Sequence, residues 1–138
     1  MTRVIGLDYG EKRIGVSVSD PLRQIAFGAG VIENKGYDFI AESLKSLLAK
    51  YEDVEEVIVG MPLSMRGQKG VQAEKVEKFI DSLKDRVNIP VKTFDERLTT
   101  AESTKMLRVT GVKARKMRNI IDEASAMNIL QRYLEMKK

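Results

Sequence analysis

A chain of 138 residues with 43% hydrophobic content fits one domain around one core. It contains neither Cys nor His, which excludes disulfide frameworks, thiolate or imidazole metal sites, cysteine nucleophiles and Ser-His triads. Hydrolytic chemistry would have to come from carboxylates, lysine, hydroxyls or a hard metal ion, and the balance of 24 basic over 20 acidic residues, +4 net, favours a polyanionic partner.

The first element predicted is a short buried strand, Val4, Ile5 and Leu7, ending in the carboxylate of Asp8. Gly10 and the polar Glu11-Lys12-Arg13 supply a turn, and Ile14, Val16 and Val18 alternate with small or polar residues in the returning strand. Past a turn at Pro21-Leu22-Arg23, Ile25, Phe27 and Gly30-Val31-Ile32 read as the third strand of a meander. Ile40, Leu44, Leu47, Leu48 and Tyr51 form a helical stripe over 37–51, begun by Gly36 or Asp38. Val54 to Val59 is a β-rich run with an acidic pair, stopped by Gly60-Met61-Pro62. A flexible basic loop over 64–70 precedes a helix with Val76, Phe79, Ile80 and Leu83 on one face. Asn88-Ile89-Pro90 breaks that helix, and Val91 to Phe94 is a fifth strand running into Asp95-Glu96-Arg97.

Thr99 or Thr100 caps a helix that Gly111 ends. A basic connector, Lys113 to Arg118, leads to a last helix from about Met117 to Met136. No apolar run approaches the length of a membrane span, and the first residues enter strand with no charged-then-apolar leader, so a cytoplasmic protein is expected. The order predicts an α/β fold in which residues 1–138 form a single domain. Its sheet is mixed and five-stranded, a three-stranded antiparallel meander plus two parallel strands, flanked by helices. Right-handed crossovers place the fourth strand beside the first, so Asp8 lies at a central strand end, where open sheets tend to carry sites.

In the last helix, Arg118, Ser125, Asn128, Arg132 and Glu135 define a polar side, and Asp122 is not on it. Asp122 lines up with Ala126, Ile129 and Tyr133 on a core-facing arc, where a carboxylate must be paired, hydrogen-bonded or bound to a cation. Arg118, one turn earlier, is the partner available within the helix. Strand alternation puts Asp95 on the face of Val91 and Thr93 and Glu96 on that of Phe94, so only one of the two can join a shared cluster. Asp8, Asp95 or Glu96, and Asp122 come from elements able to pack side by side. Carboxylates without His or Cys suit Mg²⁺ or Mn²⁺. Two such ions would activate water and stabilise the leaving oxygen of a phosphodiester. Arg13, Arg66, Lys69, Arg97, Lys113, Arg115, Lys116 and Arg118 are the candidates for neutralising substrate phosphates. With 6% aromatic residues, recognition is expected to rest on shape and backbone more than on base stacking.

Four stretches in order resemble the YqgF family, also called RuvX: Gly6-Leu7-Asp8-Tyr9-Gly10 with Lys12 to Asp20; Gly60-Met61-Pro62 with Gly67 and Gly70; Asp95-Glu96-Arg97-Leu98-Thr99-Thr100; and Ile121-Asp122 with Ala126, Ile129-Leu130-Gln131 and Tyr133-Leu134. The family is described both as a Holliday-junction resolvase and as a nuclease maturing the 5′ end of pre-16S ribosomal RNA. The resemblance implies a ribonuclease H-like fold and Asp8, Glu96 (or Asp95) and Asp122 as metal-binding, catalytic carboxylates. It also implies an endonuclease on structured nucleic acid, with pre-rRNA ahead of branched DNA as substrate. RuvC-type enzymes take one acid from the fourth strand, which here ends without one, so the fifth-strand pair would replace it. A junction resolvase would act as a symmetric dimer, and monomer and homodimer both stay open. The Asp-x-Gly turn also resembles the first phosphate loop of actin- and Hsp70-like ATPases, but this chain lacks the second domain those enzymes close on a nucleotide. A non-catalytic RNA-binding assembly factor on the same fold is the remaining alternative.

Overall fold

The computed structural model describes residues 1–62, 70–95 and 114–137, with side chains from 116 onward in the last segment. The predicted helix ended by Gly111, the loop residues 64–69, and Glu96, Arg66, Lys69, Arg97, Lys113 and the Arg115 side chain lie outside the described residues.

Among the described residues, five strands and three helices follow in the order β1 (Arg3–Asp8), β2 (Arg13–Ser19), β3 (Ala26–Glu33), α1 (Tyr37–Lys50), β4 (Val54–Met61), α2 (Val71–Arg86), β5 (Val91–Asp95) and α3 (Ala114–Met136). The sheet order is β3-β2-β1-β4-β5, antiparallel at β1–β2 and β2–β3 and parallel at β1–β4 and β4–β5. This is the mixed sheet the sequence predicts, with the fourth strand beside the first.

The alternation within β1 and β2 divides the core in two. Ile5, Leu7, Ile14, Val16 and Val18 pack with Val57 and Val59 against the buried stripes of α1 (Ile40, Leu44) and α2 (Val76, Phe79, Leu83). Val4 and Ile58 face the other way and pack with Ile129, Leu130, Tyr133 and Leu134 of α3. Gly36, at φ 106° in the left-handed region, is the residue from which α1 starts.

Two expectations about α3 are corrected. The helix starts at Ala114, not near Met117, so most of the basic stretch read as a connector is helical. Ser125, placed on the polar side by its spacing, is 1% exposed, and its hydroxyl has no hydrogen-bond partner among the described residues. The helix lies against β1, β2 and β3 together, so the arc it buries is wider than a stripe of apolar residues marks.

The far end of α3 is held by a polar network. The Tyr133 hydroxyl donates to buried Glu56, whose carboxylate also accepts from Lys92 at 2.9 Å and lies 3.8 Å from Arg23. Burial disfavours the Glu56 carboxylate, yet Tyr133, Lys92 and Arg23 outweigh it and hold its pKa below the usual value. Burial and the adjacent Glu56 push the Tyr133 hydroxyl up to about 12.

Candidate active site

Asp8 ends β1, on the α3 side of the sheet, and its cross-strand partner in β2 is Gly15. That glycine is required by packing. A Cβ at position 15 would sit 1.8 Å from the backbone oxygen of Asp122, so α3 can only cross β2 this closely where the side chain is missing. One pleat away, a Cβ at Gly6 would fall 2.8 Å from Cβ of Leu130 and 3.2 Å from the Ala126 carbonyl. The Ser17 hydroxyl donates to that same carbonyl at 2.7 Å. Gly15 and Gly6 thus form a track that seats the helix and sets Asp122 beside Asp8.

The turn behind Asp8 is held from three sides. Tyr9 stacks on Phe79 with ring centroids 4.4 Å apart, Asn34 donates to the Gly10 carbonyl at 2.9 Å, and Lys75 pairs with Glu11. The strand end carrying Asp8 is therefore anchored to the α2 core and to the segment after β3.

Burial and, second, the negative charge of Asp122 push the Asp8 carboxyl up to about 7. Asp122 has a counter-cation: Nε of Arg13 donates to its Oδ2 at 2.6 Å, with both side chains about a quarter exposed. The partner is thus Arg13, 109 residues distant along the chain, and not Arg118 within the helix. Two half-buried carboxylates that repel one another, with only oxygen donors at hand, fit a hard divalent cation. Asp8 and Asp122 would hold it. Among the described residues no third acid joins them in a metal-sized group.

The strand register places Asp95 elsewhere. Phe94 pairs with Gly60, faces α3 and meets the Tyr133 ring edge-on at 6.0 Å. Asp95, one residue on, shares the Thr93 face and lines a cleft with Met61, Glu77, Asp81 and Lys84. As part of an edge strand it also borders the groove between β5 and the end of α3, beside Arg132 and Glu135. Of the basic candidates, Arg13 and Arg118 lie beside the acid pair, while Lys116 is exposed on α3. Lys12 and Lys35, missed from sequence, share a cleft with them. Turn positions next to strand ends show no periodicity that would have singled them out.

The family model described as the RuvX Holliday junction resolvase matches residues 2–136. The chain belongs to the RuvX family. A relative from Halothermothrix orenii is 47% identical over 96% of this chain and 94% of its own length. One from Clostridium kluyveri is 42% identical over 96% of both. Both are named as candidate pre-16S rRNA nucleases. Among solved structures, RuvC of T. thermophilus in complex with a Holliday junction substrate superposes with a TM-score of 0.62 at 16% identity, covering 99% of this chain and 96% of that one. The ribonuclease H-like fold expected of the RuvX family is the fold of this chain.

Proposed function

We propose that this RuvX-family chain is a divalent-metal-dependent endonuclease that hydrolyses phosphodiester bonds in structured nucleic acid, acting in maturation of the 5′ end of pre-16S rRNA. The observation that carries the reading is the Asp8–Asp122 pair, two carboxylates held together on the seat of Gly6 and Gly15. The naming of relatives at 42–47% identity supports the ribosomal RNA substrate. Asp8 and Asp122 would hold Mg²⁺ or Mn²⁺, with Glu96 as the third carboxylate. Two ions there would activate water and neutralise charge on the leaving oxygen.

The chain's own residues do the rest. Asp8 and Asp122 would orient the cation, and the burial of Asp8 would strengthen its hold on that charge. Arg13 neutralises Asp122, and with a cation on that carboxylate it would be free to meet substrate phosphate. A second reading, resolution of four-way DNA junctions, draws support from the description of the family model.

Cleavage of a labelled pre-16S 5′-leader RNA and of a four-way DNA junction, each with Mg²⁺, Mn²⁺ or EDTA and beside Asp8→Asn, tests both. RNA cut only with metal, and not by the variant, is the expected result. Paired symmetric nicks in the junction would move the assignment to a resolvase. Cleavage of neither substrate would sink the nuclease reading and leave an RNA-binding assembly factor.

A further inference from the structure

A cleft of about 260 Å³ opens beside the acid pair, between the turn after β1, the end of β3 and the first turns of α3. Its walls carry Lys12, Arg13, Lys35 and Arg118, with Glu33 as the opposing acid among the lining residues described. Glu33 is already engaged at 3.5 Å by Lys35, whose ammonium also lies over the Phe39 ring at 5.2 Å. Lys12 and Arg118 make no ion pair with any described residue, and both are exposed.

The walls are fixed by the backbone. Arg13 and Glu33 are partners in the β2–β3 ladder, and the Asn34 amide donates to the Lys12 carbonyl at 3.0 Å. The cleft is thus formed before any ligand enters it. Arg13 belongs to both places, since its guanidinium holds Asp122 while its side chain lines the cleft. Arg118 stands one helical turn before Asp122 on nearly the same stripe of α3, roughly 5–6 Å between Cβ atoms. That separation is on the scale of a single nucleotide step.

We propose that this cleft seats a backbone phosphate of the nucleic-acid strand, adjacent to the phosphodiester at Asp8 and Asp122, with Lys12 and Arg118 as its principal contacts. The assignment rests on the nuclease reading for its register but not for its chemistry, because Lys12 and Arg118, beside the engaged Arg13 and Lys35, recognise a phosphate whether or not the neighbouring bond is cut. Lysines and arginines without a base-stacking surface read the backbone and not the sequence.

The test is binding, by fluorescence anisotropy in EDTA, of the pre-16S 5′-leader RNA and of a four-way DNA junction over a range of salt. Wild type is compared with Lys12→Gln/Arg118→Gln and with Lys45→Gln/Lys84→Gln, which removes the same charge from the outer surfaces of α1 and α2. The cleft variant is expected to bind RNA about tenfold more weakly at 0.1 M salt, with the salt slope reduced by about 0.7 for one phosphate no longer neutralised. The control pair is expected to stay within twofold of wild type. Equal losses in the two variants, or no change in either slope, would overturn the cleft. Loss on the junction alone would overturn RNA as its occupant and leave the phosphate seat to DNA. If the cleft variant loses binding while wild type with Mg²⁺ cuts neither substrate, the seat stands and the nuclease reading falls. Unchanged binding with intact metal-dependent cleavage gives the converse.

Discussion

Asp8 is the residue at which the conflict between folding and function is largest. Its carboxyl is pushed up to about 7 by burial and by Asp122, from an ordinary value of 3.8. In the metal-free protein the native state therefore keeps a proton that the unfolded chain has already released. A raised native pKa contributes stability that is complete below the unfolded value and is lost as pH rises through the native one. Stability in EDTA should accordingly fall between about pH 4 and pH 7, by about 4 kcal/mol. Mg²⁺ should restore it at pH 8. Urea melts at pH 5 and pH 8 check this, and Asp8→Asn should flatten the difference; an equal slope in the variant would assign the effect to other groups. Arg13 is the second case at this scale. Its ion pair occupies Asp122, an acid proposed to hold the metal, so Arg13→Gln should raise Mn²⁺ affinity several-fold by calorimetry while slowing cleavage. A variant that binds Mn²⁺ no better than wild type would show that Arg13 does not compete with the ion.

At the scale of elements, α3 is the part that the sequence describes least completely. The arc of Ala126, Met127, Ile129, Leu130, Tyr133 and Leu134 identifies its buried side; all are buried but Met127, which is half-buried. The same spacing misplaced Ser125, because periodicity measures angle around a helix and not how much of its girth a twisted sheet covers. An unpartnered buried hydroxyl costs free energy, and serine is a poorer helix former than alanine. Ser125→Ala should therefore stabilise the protein by about 1 kcal/mol, read as a shift in denaturation midpoint at unchanged slope. A loss of stability would mean that the hydroxyl has a partner in solution. The meander, the alternation behind the two-sided core and the departure of Asp122 from the polar side were legible because they depend on neighbours in sequence, and the place of β4 beside β1 because crossovers are right-handed. The Arg13–Asp122 pair was not, since its partners are 109 residues apart. The role of Gly15 was hidden too, because a glycine that admits another backbone reads like any glycine in a strand.

Across the whole molecule, Glu123 and Gln131 of α3 accept from the Gly30 and Ala26 amides of β3, and two further attachments of the helix to the sheet differ in their consequences. Near the site, the Gly15 and Gly6 track fixes where Asp122 stands relative to Asp8. At the opposite end, Tyr133 joins α3 to Glu56 of β4, and through it to Lys92 of β5 and Arg23. Both attachments hold the same helix down, but only the first sets the geometry of the acids. Gly15→Ala forces a methyl group into a backbone oxygen that cannot yield, so it should destabilise the protein by about 3 kcal/mol. Mg²⁺ affinity should fall with it, because the helix must lift. Tyr133→Phe leaves Glu56 with Lys92 and Arg23 and removes one charge-assisted hydrogen bond, a loss of about 1.5–3 kcal/mol. Its Mg²⁺ affinity should stay within twofold of wild type. Paired melts and calorimetry on the two variants separate the attachments. If Tyr133→Phe weakened metal binding as much as Gly15→Ala, α3 would act as one rigid lever, and the placement of Asp122 would depend on the far anchor as well as on the glycines beneath it.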